Sequence, residues 1–275
     1  MKPLFVVVQE TAKFIVINKS VGIGVHDEII GDLAVNRALD VENNAATEAD
    51  ADSRADARAA EASDSDPSQS QVRSDGLITH VRKELDDQNL FPVHRLDKDT
   101  SGLMLIAKGR EATKELSELF RLRKVEKFYI ALTDKKGQKK QGSIKGGMIK
   151  GRRGSWMLTQ SKENYSTTQF FSYGLSESRR VLLMKPLTGK THQLRVAMKS
   201  NSAPILGDRR YGGSLSDRMY LHAFKLVFEL GGEHFAIESL PLEGRYFLDE
   251  GFPSFIKSLG APESLKWPKL PPPKS

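Results

Sequence analysis

The chain has 275 residues, 39% of them apolar and 28% charged, ordinary proportions for a globular protein with ample core. It has no cysteine, which excludes disulfides and thiolate metal sites. No apolar run reaches the ~18 residues of a membrane span. A net charge of +7 conceals an asymmetry. The segment Glu42 to Asp75 holds nine acidic and three basic residues, a net −6 that leaves +13 on the remainder and suits a polyanionic partner such as nucleic acid.

In chain order, "LFVVV" and "FIVINK" read as two short strands joined by a polar turn at Gln9 to Lys13. The start of the chain has too short an apolar run and no small-residue cleavage site for a signal peptide, so a cytoplasmic location is expected. The Ala-, Asp-, Glu- and Ser-rich stretch from Glu42 to Asp75 has almost no large apolar residue to offset the entropy of ordering and is expected to be a disordered surface insertion. Leu77, Val81 and Leu85 then recur at helical spacing. "LMLIAK" reads as a buried strand, and "REATKELSELFRLR" puts Ala112, Leu116, Leu119 and Phe120 on one helical face.

"EKFYIALT" and "RRVLLMKPL" read as further strands, and "THQLRVAMKS" as a helix with Thr191 as candidate N-cap. Between them, Lys135 to Trp156 is basic and Gly-rich, suited to phosphate contacts and otherwise a solvated loop. "MYLHAFKLVFEL" and "EHFAIESLP" flank Gly231-Gly232, a hairpin signal. The tail from residue 261, ending in "WPKLPPPKS", is Pro-rich and expected to be loose. Strands without regular helical alternation predict an α+β fold with a mixed, mainly antiparallel sheet, formed by residues 1–260 around the insertion.

Several familiar chemistries are excluded. "TGKTHQ" resembles the end of a phosphate-binding loop, but Met184 stands where that loop needs a glycine. The six histidines show no metal-ligand spacing, and no GxSxG elbow is present. Carboxylate chemistry or plain binding is left.

The densest ionisable cluster is "PVHRLDKDTSGLMLIAK", where His94, Arg95, Asp97, Lys98 and Asp99 abut an apolar run. This segment resembles the signature of the RluA family of RNA pseudouridine synthases. "NKSVGIGVH", "EKFYIAL", "LTGKTHQLRV", "PILGDRRYG" and "LHAFKLVF" are similar to other elements of that family, in the same order. The resemblance implies a pseudouridine synthase fold with a central catalytic cleft and cofactor-free isomerisation of uridine in RNA: N1–C1′ breaks, the uracil turns, and C5 joins C1′. It implies Asp97 as catalytic aspartate, Tyr129 as active-site tyrosine, Arg195 as its basic partner, and Arg95 as the residue that helps displace the base. His94, Thr100, Lys190, His192 and Gln193 complete the expected substrate-binding set, with no metal. The expected partner is a tRNA or large-subunit rRNA stem-loop, met by a monomer.

Residue chemistry is compatible with that assignment. A carboxylate can attack a sugar carbon, and an ordinary Asp is ionised at neutral pH. Plainer roles compete: Asp97 capping a turn with Thr100 and Ser101, Arg195 in a helix-surface ion pair, His94 merely orienting the loop. Of Phe128 and Tyr129, alternation sends one to the core and the other to the cleft. Ser20 and Ala197 depart from the family pattern, which has proline and histidine there. No S4-type domain is expected before Phe14. The rival function is a non-catalytic RNA-binding protein on the same scaffold. A glycosidase is disfavoured because no second carboxylate is placed as an acid.

Overall fold

The computed structural model describes residues 2–29, 73–176 and 178–268. The first two strands are β1 (Phe5–Glu10) and β2 (Phe14–Lys19), paired antiparallel with a bulge at Val7/Gln9. β1 runs on to Glu10, so the turn is shorter than the Gln9–Lys13 expected, and Thr11 closes it by bonding Phe14. The short strands β3 (Glu28–Ile29) and β4 (Arg73–Ser74) pair antiparallel, setting the chain on either side of residues 30–72 side by side. The expected acidic insertion lies outside the described residues, apart from Arg73, Ser74 and Asp75.

Helix α1 (Leu77–Glu84) buries Leu77, Ile78 and Val81, the face its spacing predicts. Strand β5 (Leu90–Pro92) pairs with the end of β6 (Ser101–Lys108), in which every residue but the last is buried. Helix α2 (Gly109–Arg121) packs Ala112 and Leu116 against Leu103 and Leu105 of β6, with Leu119 and Phe120 at the margin. Leu103, Leu105 and Leu116, fully buried, each contribute about 2–5 kcal/mol against truncation to alanine.

Then follow β7 (Glu126–Thr133), β8 (Gln141–Lys150), β9 (Trp156–Thr159), β10 (Tyr165–Ser176) and β11 (Arg179–Pro186). Helix α3 (Gln193–Ser200), strands β12 (Leu221–Leu230) and β13 (Glu233–Glu238), and helix α4 (Gly251–Leu259) complete the described elements. The large sheet runs β1-β2-β6-β12-β7-β11-β10-β8-β9, with β13 on β12 and β5 on β6. All its pairs are antiparallel except β6 with β12, so the α+β, mainly antiparallel expectation holds. Gly231 and Gly232, both with positive φ, form the expected hairpin turn.

Three expectations fail. The basic stretch Lys135–Trp156 is not a loop: its middle is β8, hydrogen-bonded to β10 and β9 on either side. Exchanging Gly146 or Gly147 for a residue with a side chain would bring a Cβ within 3 Å of the carbonyls of Thr159, Ser161 or Glu163, so the glycines permit close strand approach rather than looseness. Thr191 does not cap α3. It is exposed, and His192 occupies the N-cap position in the left-handed conformation without a side-chain cap bond. The tail is docked as far as Pro268. Trp267 packs on Phe171 and Phe128, and the Pro268 carbonyl accepts a bond from Gln169. Residues 269–275 lie outside the described residues.

Candidate active site

The turn between β5 and β6 carries Asp97, and its backbone is pinned from three sides. The Asp97 carbonyl accepts from the Thr100 N–H at 3.0 Å, and the Lys98 carbonyl accepts from Gly22 at 2.9 Å. Lys19, with no exposed surface, ends β2 beneath the turn and donates to the carbonyls of Ser20, Lys98 and Thr100 at 2.8, 3.1 and 2.9 Å. Burial lowers the Lys19 pKa to about 7 against the opposing pull of Asp99. Leu96 is buried beside Asp97.

The turn leads directly into the β6–β12 contact, where Gly102 has φ +113° and a Cβ would lie 2.3 Å from the Ala223 carbonyl oxygen. Only glycine fits there. Next to it, the buried Ser101 hydroxyl meets His222 Nδ1 at 2.8 Å and accepts from Arg218 at 2.7 Å, while His222 Nε2 lies 2.8 Å from the Ser239 carbonyl. Burial drives the pKa of His222 down to about 3, so it sits there neutral. An ionisable turn is thus fastened to apolar sheet by buried, fully partnered polar groups.

The Asp97 carboxylate is not absorbed in turn capping. Its Oδ2 lies 3.4 Å from Arg195 Nη1 and 3.8 Å from His192 Nε2. Arg195, on the first turn of α3, is 6% exposed and therefore no surface ion-pair residue. Its main partner is Asp208, 1% exposed, which accepts from Nε at 2.7 Å and from Nη2 at 2.8 Å. The sequence alone does not single out Asp208, although it lies in the "PILGDRRYG" element. The same element supplies Tyr211, buried under α3, whose ring centroid lies 5.0 Å from the Arg195 guanidinium carbon.

Tyr129 sits mid-sheet on β7, between Met184 of β11 and Ala223 of β12. Its neighbour Phe128 is fully buried and Tyr129 only partly, as alternation requires. Burial and the nearby Asp97 charge both push the Tyr129 phenol well above its ordinary pKa, so it keeps its proton. His94 stacks on Phe120 at 4.5 Å and its Nε2 accepts the Leu105 N–H at 2.9 Å. Burial holds it neutral, with a pKa near 3, in a loop-orienting position.

The Gln193 side chain is committed inside the protein. Its Oε1 accepts from the Thr188 hydroxyl and the Lys190 N–H, and its Nε2 donates to the Thr167 carbonyl and the Thr168 hydroxyl. Gln193 thus fixes the "TGK" loop, the work expected of a cap at Thr191. Arg95 is exposed at the mouth, with Arg121 and Arg123 nearby, and Lys190 is half-buried. All nine residues singled out in the sequence line one cavity of about 450 Å³. A cation-rimmed pocket with an open carboxylate and an aromatic wall is suited to a flat heterocycle on an anionic backbone.

The family description "RNA pseudouridylate synthase" matches residues 13–200. The chain belongs to this family. It is 45% identical over 175 residues to a Haemophilus influenzae protein described as an uncharacterized RNA pseudouridine synthase, covering 63% of this chain and 78% of that one. It is 38% identical over 143 residues to the ribosomal large subunit pseudouridine synthase C of Rickettsia bellii, covering 49% of this chain and 48% of the relative. Among solved structures, human RNA pseudouridylate synthase domain containing 1 matches with a TM-score of 0.60 at 22% identity, over 87% of this chain and 86% of that one. That last likeness concerns the fold alone.

Proposed function

We infer that this RNA pseudouridine synthase acts on a uridine in large-subunit ribosomal RNA, with Asp97 as nucleophile. The observation that carries the chemistry is the Asp97 carboxylate itself, side chain 24% exposed, held loosely at 3.4 Å from a buried arginine inside the cavity. The names of relatives such as the Rickettsia protein support the ribosomal substrate. The tRNA expected as an alternative from the sequence is the second reading.

In this reading the target base leaves its stack, at a cost of a few kcal/mol offset by contacts in the cavity and along the backbone. Arg95 at the mouth takes up the polar edge left behind, and Tyr129 offers the uracil a flat face. Asp97 bonds to C1′ as the N1–C1′ bond breaks, and the electron pair of that bond stays on the uracil. The uracil turns, C5 bonds to C1′ and expels the carboxylate. The hydrogen on C5 departs as a proton and N1 takes one up, so nothing is consumed. Arg195, 3.4 Å from Oδ2, holds the carboxylate from one side and sets its negative charge against a fixed positive one.

Site-resolved mapping of pseudouridine in rRNA and tRNA, from cells with and without the gene, tests the substrate. Loss of a large-subunit rRNA site is the expected result, and loss confined to tRNA would overturn the ribosomal assignment. Unchanged maps would favour the non-catalytic RNA-binding alternative.

A further inference from the structure

His192 occupies an unusual position. It has φ 56° and ψ 15°, a left-handed conformation that costs a non-glycine residue free energy and that surrounding structure must enforce. The enforcing contact is Tyr211, whose hydroxyl oxygen lies 2.8 Å from His192 Nδ1 and whose ring meets the imidazole edge-on at 5.7 Å. The same oxygen accepts the Trp156 N–H at 2.9 Å. With that bond accepted, the tyrosine's own hydrogen has Nδ1 within reach as its acceptor. A neutral imidazole that accepts at Nδ1 carries its hydrogen on Nε2, and Nε2 is the atom 3.8 Å from Asp97 Oδ2.

We propose that His192 is a positioning residue for Asp97: oriented by Tyr211, it presents a neutral N–H to Oδ2, closes on it when RNA enters, and with Arg195 leaves Oδ1 as the oxygen that meets C1′. Both donors make their closest approach at Oδ2, from opposite ends of the "HQLR" turn. The 3.8 Å gap is too long for a hydrogen bond in the free protein, and such bonds commonly tighten only with substrate in place. The groups around the imidazole hold it neutral. Burial lowers its pKa, Arg195 and Arg210 oppose a second positive charge, and Asp97 and Asp208 pull the other way without prevailing. Burial also pushes the Tyr211 phenol up, so its hydroxyl keeps the hydrogen the arrangement needs.

This inference rests on the reading of Asp97 as the attacking carboxylate, and the test separates the two. The probe is bulk rRNA and tRNA from cells lacking the gene, labelled with tritium at uridine C5, so that each isomerisation releases tritium. Single-turnover release is followed across pH for the full-length wild type and for His192→Gln, His192→Leu, Tyr211→Phe and Asp97→Asn. His192→Gln keeps a neutral N–H donor and stays within about threefold of wild type, whereas His192→Leu loses on the order of 100-fold with RNA binding unchanged. Tyr211→Phe, which keeps the ring and its contact with Arg195, falls between these and loses rate without loss of binding. A rate equal to wild type in either His192→Leu or Tyr211→Phe would overturn the proposal. So would failure of His192→Gln to restore what His192→Leu loses. Release by Asp97→Asn would instead remove Asp97 from its role, whatever the histidine variants do.

Discussion

Asp208 and Asp97 both approach the Arg195 guanidinium, the first through two hydrogen bonds at 2.7 and 2.8 Å, the second at 3.4 Å. Asp208 is sealed from solvent, whereas the side chain of Asp97 is 24% exposed in a cavity. The difference separates holding from reacting. A bidentate, buried pair uses the planar fork of the guanidinium to fix it in space. The remaining Nη1 is left for Asp97, the carboxylate proposed to move onto a sugar carbon. In the proposed mechanism Asp208 is the structural carboxylate behind the arginine, and Asp97 is the chemical one in front of it.

The largest expected effect on stability comes from breaking the rear pair. Asp208→Ala strands a buried guanidinium and costs about 3–5 kcal/mol in urea unfolding. It also lowers turnover, because Arg195 no longer meets Asp97 from a fixed direction. Next comes Arg195→Lys, which keeps the charge but loses the fork. It costs about 1–3 kcal/mol, and its activity loss should exceed what a simple Arg195–Asp97 pair would suggest, since both partnerships are disturbed.

A pH experiment probes the polar support under the Asp97 turn. His222 has a folded pKa of about 3 against an ordinary 6.5. Between those values the unfolded chain takes up a proton that the folded one refuses, so stability falls as pH drops below 6.5. By about pH 4 this amounts to about 3 kcal/mol. His222→Gln should lose less stability than wild type between neutral and acid pH, as read by paired urea titrations. The smallest expected change belongs to the front carboxylate: Asp97→Asn should alter stability by no more than about 0.5 kcal/mol, since no tight partner is lost.

Much of this arrangement is legible in the sequence, and the exceptions have physical reasons. β2 and β6 follow from the short apolar runs in "FIVINK" and "LMLIAK", and α2 from the helical spacing of Leu116 with its neighbours. β10 escaped because its "STTQ" is polar yet buried, with Thr167, Thr168 and Gln169 held by hydrogen bonds rather than by apolar character. Thr191 failed as N-cap because the Gln193 amide reaches back to Thr188 and Lys190 and ties down the preceding loop instead. Asp208 escaped because nothing local distinguishes an Asp between a glycine and two arginines. Its role exists only once the loop folds back under Arg195, 13 residues earlier in the chain. The docking of Trp267 was hidden by the prolines around it, which signal a loose tail whether or not an aromatic pocket awaits.

The claim that Asp97 reacts while Asp208 holds is tested most directly by measuring, on one preparation of each variant, unfolding free energy and single-turnover pseudouridine formation for Asp97→Asn and Asp208→Asn. The account predicts a crossed result: Asp97→Asn unfolds like wild type, binds RNA and forms no pseudouridine, while Asp208→Asn is measurably less stable and still turns over slowly. Pseudouridine formation by Asp97→Asn at a rate near that of wild type would contradict it.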